Sequence, residues 1–445
     1  MTDAPITPRG TAPAVLISAP ASGSGKSMMT AALARLHRNA GRDVRVFKYG
    51  PDYLDPMVLE TASGNPVYQL HPWMTGMDEC RWRLARAAAT ADLVLVEGSM
   101  GLFDGDPATA DLAAAAGIPV VPVIDAAGMA QTLAAVALGL DQYRDDVCLA
   151  GVIANRVGSA GHGRMLAEAL PERLPLLGAV PRDDAMSIPD RHLGLVQAGE
   201  LPDLDRRLDA AAELLREAGL DALPASVTLA GEPPPKPPRL LDGARIAVAR
   251  DAAFAFIYRA NLELLEAMGA DLREFSPLAD QALPACDALW LPGGYPELHA
   301  RQLADNLPML LAIRSHHAAG KPILAECGGL MACMDTLVDG DGKAHRMLGL
   351  LPGQAAMAGK LMGLGLQSLA LPGGELRGHT FHHSRLEAEL EPVARTRRHR
   401  GGTPGEAIYR DGALTASYYH AYFPSAPAAT AALFRGTALE EIGHA

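Results

Sequence analysis

The chain has 445 residues, 49% hydrophobic, 20% charged and 5% aromatic, with 39 Lys and Arg against 51 Asp and Glu for a net charge of −12. Those values exclude a disordered chain, and the acidity excludes a general binder of nucleic-acid backbone, whose footprint is basic. Cys80, Cys148, Cys286, Cys327 and Cys333 match neither a disulfide framework nor zinc spacing, so a reducing cytoplasm is expected.

Residues 1–12 are expected to be a flexible N-terminus without a signal-type apolar run. Short apolar runs then recur at Ala14–Ser18, Val44–Tyr49, Leu93–Glu97, Pro119–Asp125 and Leu149–Asn155. Helix-like segments such as Lys26–Ala40 and Glu79–Thr90 separate them. Continuous apolar strands alternating with helices predict a parallel sheet covered on both faces, with ligands at the strand C-termini. The longest apolar stretch, Asp111 to Leu140, is interrupted by Pro119, Pro122, Asp125 and Gly128. It reads as helix, strand, helix, and not as a membrane span.

Ala19-Pro-Ala-Ser-Gly-Ser-Gly-Lys-Ser27 follows the first strand and opens a helix. That context suits a phosphate loop, in which the backbone N–H groups of Gly23, Ser24 and Gly25 and the helix N-terminus cradle anions. Lys26 would reach the terminal phosphates of ATP and the Ser27 hydroxyl would bind Mg²⁺. Lys48-Tyr-Gly-Pro-Asp-Tyr-Leu-Asp-Pro56 places Asp52, Asp55 and a lysine at the same rim. Glu97 ends the third apolar run as the candidate for a second metal contact, and Asp104, further along its Gly-rich loop, is a candidate substrate-binding residue. Asn155 ends the fifth run, where its amide would pair with a purine edge or serve as a turn residue.

Five prolines crowd the stretch Glu232–Arg239. They favour stiff extended backbone, so we expect a first α/β domain at 13–231, a linker at 232–240 and a second α/β domain at 241–445. The second domain opens with strands at Arg245–Arg250, Leu272–Phe275, Ala288–Pro292 and Ile323–Glu326, and a helix at Asn261–Met268. Further strands are expected near Gly378–Ser384 and Leu414–His420, and the run Arg395–Arg400 is expected to be a solvated loop. Cys327 sits at a strand-to-helix turn before two glycines, the setting of an activated nucleophile. The other four cysteines are expected to be packing residues. Gly293 and Gly294, with Gly328, would offer N–H groups to an oxyanion. His420 is the downstream base candidate for Cys327.

Together these motifs resemble the cobyrinate/hydrogenobyrinate a,c-diamide synthase family. The resemblance runs from about residue 13 to 425 and rests on GSGKS, KYGPDYLDP, VEGSMGLFDG, GVIANRVGS, PRDDAMSIPDRHLGL, NLELLEAMGADL, LWLPGGYPEL, ECGGLM, GHTFHHS and SYYHAYF. It implies an N-terminal P-loop domain like dethiobiotin synthetase and a C-terminal triad-type glutamine amidotransferase domain. The implied reaction amidates the a and c carboxylates of a corrin ring with ATP, Mg²⁺ and glutamine. Cys327 would be the glutaminase nucleophile and His420 its base. Lys26, Ser27 and Glu97 would serve ATP and Mg²⁺, while Asp52, Tyr53, Leu54 and Asp55 would face the substrate and the metal. The chain departs from the usual amidotransferase pattern at Tyr422, where a Glu two residues after the histidine is the rule. A Cys–His pair without that third member is expected, with His379, His382 and His383 as alternatives in another loop. The same chemistry on another tetrapyrrole, such as nickel sirohydrochlorin, is the alternative within the enzyme class. A P-loop regulatory ATPase with a degenerate appended domain predicts no glutaminase, and a glutaminase subunit leaves the GKS loop unexplained. No nucleic-acid or membrane partner is expected, and self-association as a homodimer is left open.

Overall fold

The structure, a computed structural model, describes residues 9–187, 190–191 and 194–437. Residues 188–189 and 192–193 of the motif at 181–195, and residues 1–8, lie outside the described residues. The chain divides into two compact units, Met1–Pro234 and Pro235–Ala445.

In the first unit β1 (Arg9–Ser18), β2 (Val44–Tyr49), β3 (Tyr68–Leu70), β4 (Leu93–Glu97), β5 (Val120–Asp125), β6 (Val152–Val157) and β7 (Leu176–Pro181) form one sheet. Their order is β3-β2-β4-β1-β5-β6-β7, and neighbouring strands run parallel. Successive residues of β1 feed opposite faces. Val15 and Ile17 join Met29, Leu33 and Leu208, whereas Leu16 joins Leu84, Val96 and Leu112. Two buried faces are why these strands read as unbroken apolar runs. Two helices matter for the site: α1 (Lys26–Asn39) and α2 (Leu54–Ser63).

The expectation of flexibility through residue 12 is corrected. From Arg9 to Pro13 the chain pairs antiparallel with Ser226–Ala230. Gly10 lies against the backbone of Ala88 and Ala89, where a Cβ would collide. A partner more than 200 positions away leaves no local periodicity to read.

In the second unit a ten-stranded sheet begins with Asp271–Phe275, Arg245–Ala249, Ala288–Leu291, Ile323–Glu326 and Leu414–Ser417, mutually parallel. It continues antiparallel through Pro404–Asp411, Ala394–Arg398, Gly363–Leu371, Gly374–His382 and His420–Tyr422. The Arg395–Arg400 run is therefore strand as far as Arg398, with His399 and Arg400 in a turn. Thr396 points inward between exposed Arg395 and Arg397, a period of two that the dense charge conceals. Met334–Val338 pairs with Ala344–Arg346 and with Leu351–Met357, which in turn pairs with Ser384–Ala388, giving a second sheet. Of the four cysteines expected to be packing residues, Cys80, Cys286 and Cys333 are buried, whereas Cys148 is exposed. Among the described residues, no helix is long and apolar enough to cross a membrane.

Candidate active sites

Parallel strands bring chemistry to their C-terminal edge, and β1, β2, β4 and β6 each end on a residue or loop of the first site. After β1 the loop 19–25 leads into α1. Gly25 caps that helix with φ 95°, and an added Cβ would run into the amide of Asn155. Only glycine suits both demands. Asn155 is buried, donates from Nδ2 to Ser24 O (3.0 Å) and accepts the Arg156 N–H at Oδ1 (2.9 Å). Its amide thus straps the loop. Lys26 Nζ donates to Met100 O (2.6 Å) and Ala21 O (3.4 Å). Burial, then the charge of Lys48, lowers its pKa.

Ser27 Oγ donates to Glu97 Oε1 (2.6 Å) and to Asp55 Oδ2 (3.0 Å). The residue beside Ser27 and Glu97 is therefore Asp55, one of the residues that the resemblance places toward the substrate and the metal. Asp52, expected at the metal, accepts the N–H groups of Leu54 (2.9 Å) and Asp55 (3.1 Å) at Oδ1, while its Oδ2 lies 3.7 Å from Lys48 Nζ, the ammonium that also meets Asp55 and Glu97. Spacing in a loop does not say which carboxylate meets Ser27; the start of α2 does, by drawing Oδ1 of the first onto its N–H groups. Tyr53 and Leu54 are half-buried at the same turn. Asp104 turns back on its own loop, its Oδ2 accepting the Gly101 N–H (2.9 Å). Burial pushes Glu97 up to about 7, against the pull of Lys48.

Glu97 Oε2 is buried and meets no hydrogen-bond partner among the described residues. An orphaned carboxylate oxygen beside a hydroxyl and a second carboxylate suits a hard cation. No three His, Cys, Asp or Glu form an all-protein cage among the described residues. Mg²⁺ in phosphoryl transfer needs none, since phosphates and water complete its shell. Ser27, Asp55 and Glu97 thus fit Mg²⁺.

In the second unit the strand Ile323–Glu326 ends at Cys327, whose φ of 48° and ψ of −102° are strained for a residue with a Cβ. Its N–H donates to Ser417 O (2.7 Å), and the helix Gly328–Cys333 follows at once. This is the sharp turn that projects a nucleophile. A Cβ on Gly328 would press on Gly294 N, and one on Gly293 would strike the His420 ring. The structure thus gathers Gly293, Gly294, Gly328 and His420 around the turn that carries Cys327. Burial, then Glu297, raises the Cys327 thiol. Burial, then His379 and His382, holds His420 well below the usual imidazole range. Both shifts favour the uncharged forms, a neutral thiol and a neutral imidazole, in the resting site.

The alternative histidines are not in a loop. His379 and His382 lie on the strand Gly374–His382, with His383 following it. His379 pairs with His420 across strands, their rings stacked at 5.0 Å. Its Nδ1 lies 2.9 Å from Tyr258 Oη. His382 sits 3.4 Å from Glu406 and stacks on Tyr418 at 3.8 Å. Tyr422, at the position of the usual Glu, packs edge-on to Tyr258.

Sequence reasoning missed Glu326. Its buried Oε1 accepts the Ala421 N–H (2.8 Å) and its Oε2 the Trp290 indole N–H (2.8 Å). It binds the strand before the nucleophile to the residue after His420. A charge at the end of an apolar strand was the available signal, overshadowed by the adjacent cysteine.

Two family models match the chain. The CobQ/CobB/MinD/ParA nucleotide binding domain covers residues 15–196. The CobB/CobQ-like glutamine amidotransferase domain covers residues 245–428. The hydrogenobyrinate a,c-diamide synthases of Stutzerimonas stutzeri and Pseudomonas aeruginosa are each 57% identical over 95% of this chain, covering 98% and 97% of their own length. The cobyrinate a,c-diamide synthase of Herminiimonas arsenicoxydans is 52% identical over 96% of this chain and 98% of its own. The chain belongs to the cobyrinate/hydrogenobyrinate a,c-diamide synthase family. It is a glutamine-dependent carbon–nitrogen ligase with a P-loop nucleotide-binding domain and a glutamine amidotransferase domain.

Proposed function

We propose that the enzyme amidates the a and c carboxylates of hydrogenobyrinic or cobyrinic acid, using ATP, Mg²⁺ and glutamine, in the cytoplasm. One observation carries the reading: identity to synthases of that name spans 95% of the chain and therefore both units.

At the second unit the Cys327 thiol passes its proton to His420, and the thiolate attacks the glutamine amide carbon. N–H groups of Gly293, Gly294 and Gly328 stabilise the oxyanion. Protonated His420 returns the proton to the leaving nitrogen, which departs as ammonia, and water hydrolyses the thioester to glutamate. At the first unit a substrate carboxylate oxygen attacks the γ-phosphorus of ATP and ADP leaves. Ammonia then attacks the acyl carbon, phosphate leaves, and the nitrogen gives up one proton. The loop 23–25 and Lys26 hold the phosphates, and Tyr53 and Leu54 face the corrin. Ser27, Asp55 and Glu97 would hold Mg²⁺, which when bound offsets phosphate charge.

The test is incubation with ATP, Mg²⁺ and glutamine, offering hydrogenobyrinate and cobyrinate separately, with amide exchanges counted by mass spectrometry. Two exchanges on one ring support the reading and assign the metal-free or cobalt form. No exchange on either, with glutamine still hydrolysed, overturns the substrate.

A further inference from the structure

Lys48 lies near the end of β2, opposite Glu97 in the parallel register, and its side chain is buried. Its Nζ lies 2.5 Å from Asp55 Oδ2, 2.7 Å from Glu97 Oε1 and 3.7 Å from Asp52 Oδ2. Ser27 Oγ donates to the same two oxygens, Asp55 Oδ2 and Glu97 Oε1. Two donors thus bracket two acceptors. An ammonium has three donors and no lone pair, so it cannot ligate a cation. It occupies carboxylate oxygens that a cation on Ser27, Asp55 and Glu97 would draw on, and at such range the like charges repel strongly.

Lys26 stands differently. Its direct partners are the carbonyls of Ala21 and Met100, and it makes no ion pair within 4 Å among the described residues, while Glu97, Asp55 and Asp104 act on it from further away. Lys48 is compensated by carboxylates and becomes available only when something else takes them. Its four-carbon stem lets the ammonium turn without backbone movement.

We propose that Lys48 is a resident counter-ion that yields Asp55 and Glu97 to the divalent cation, and whose released ammonium then neutralises the anionic centre between substrate carboxylate and γ-phosphate. This rests on the reading of Ser27, Asp55 and Glu97 as metal residues. The two lysines thereby have different roles, since Lys26 binds nucleotide from the outset, whereas Lys48 exchanges partners. The exchange also explains how an acidic crevice admits an anionic substrate. Three carboxylates face one ammonium before the metal arrives, and the exchange turns that ammonium toward the substrate.

The experiment measures Mn²⁺ binding to the full-length protein by electron paramagnetic resonance, without nucleotide and with a non-hydrolysable ATP analogue. K48M removes the competing charge, so nucleotide-free Mn²⁺ affinity rises about tenfold. K48R keeps the charge on the same carboxylates, so affinity does not rise. A rise in K48M that is absent in K48R is not produced by general damage to the fold. ADP formation with substrate and ammonium chloride falls by about 100-fold or more in K48M, the scale of losing one group that stabilises developing charge. If wild type binds Mn²⁺ and K48M binds it no tighter, the Lys48 inference falls and the metal reading stands. If wild type binds no Mn²⁺ even with the analogue, both fall.

Discussion

Asp52 and Asp55 are three positions apart and do different work. Asp52 caps the first N–H groups of α2, while Asp55 shares the Ser27 hydroxyl with Glu97. Asp52→Ala is therefore expected to cost about 1 kcal/mol of stability, the value of a helix cap. Asp55→Asn should instead raise the Mg²⁺ concentration for half-maximal rate by at least about tenfold, the loss that even an outer partner of a metal causes. Denaturant melts and Mg²⁺ titrations of both variants check this, and equal behaviour would refute the division. At the other site the environment of His420 sets a pH limit. Burial and neighbouring imidazoles favour its neutral form, so it protonates only below its ordinary value of about 6.5. The acid limb of glutaminase kcat/KM should lie below pH 6.5. A limb at or above that pH would show that another base serves Cys327.

Strands place these residues, and Glu326 shows how. It ends Ile323–Glu326, and its two oxygens are taken by Ala421 N–H and the Trp290 indole. Burial pushes its pKa up to about 7, partly offset by those two donors. Glu326→Ala leaves both donors buried and unpaired, so the second unit should lose about 2–4 kcal/mol. Glu326→Gln keeps the Ala421 contact through its amide oxygen and should lose less. Since Ala421 follows His420, the alanine variant should also lower glutaminase kcat more than it raises KM. A stability loss with unchanged kcat would reduce Glu326 to a packing role. The strand Gly374–His382 plays the corresponding part on the other side, setting His379 against His420 and Tyr258 against His379.

For the whole molecule, each unit holds its own apolar clusters. Those of the first are drawn from residues 12–229 and those of the second from residues 241–434. A chain whose core lies within its own segment is expected to fold alone. Residues 9–234 and 235–437 expressed separately should each give a single cooperative urea transition, and the first should still bind ATP. A fragment without a cooperative transition would show that its core is incomplete without the other.

Much of this was legible in the sequence because it is local. The strand–GSGKS–helix context, the strand-to-turn cysteine and the proline-rich stretch each declare themselves within about ten residues, since turn chemistry and side-chain period act at that range. Charge concealed the strand at Ala394–Arg398 because its inward residue, Thr396, is polar. What only the tertiary structure decided is which groups meet across distant elements. Asp55 rather than Asp52 meets Ser27, Asn155 straps the phosphate loop, Glu326 reaches Ala421, and Lys48 joins the carboxylates of α2 and β4. Each of those contacts depends on sheet order and register, which arise from pairings tens to more than a hundred residues apart. Local residue types supplied the reacting groups, and the sheets determined which of them share a charge, a proton or a metal.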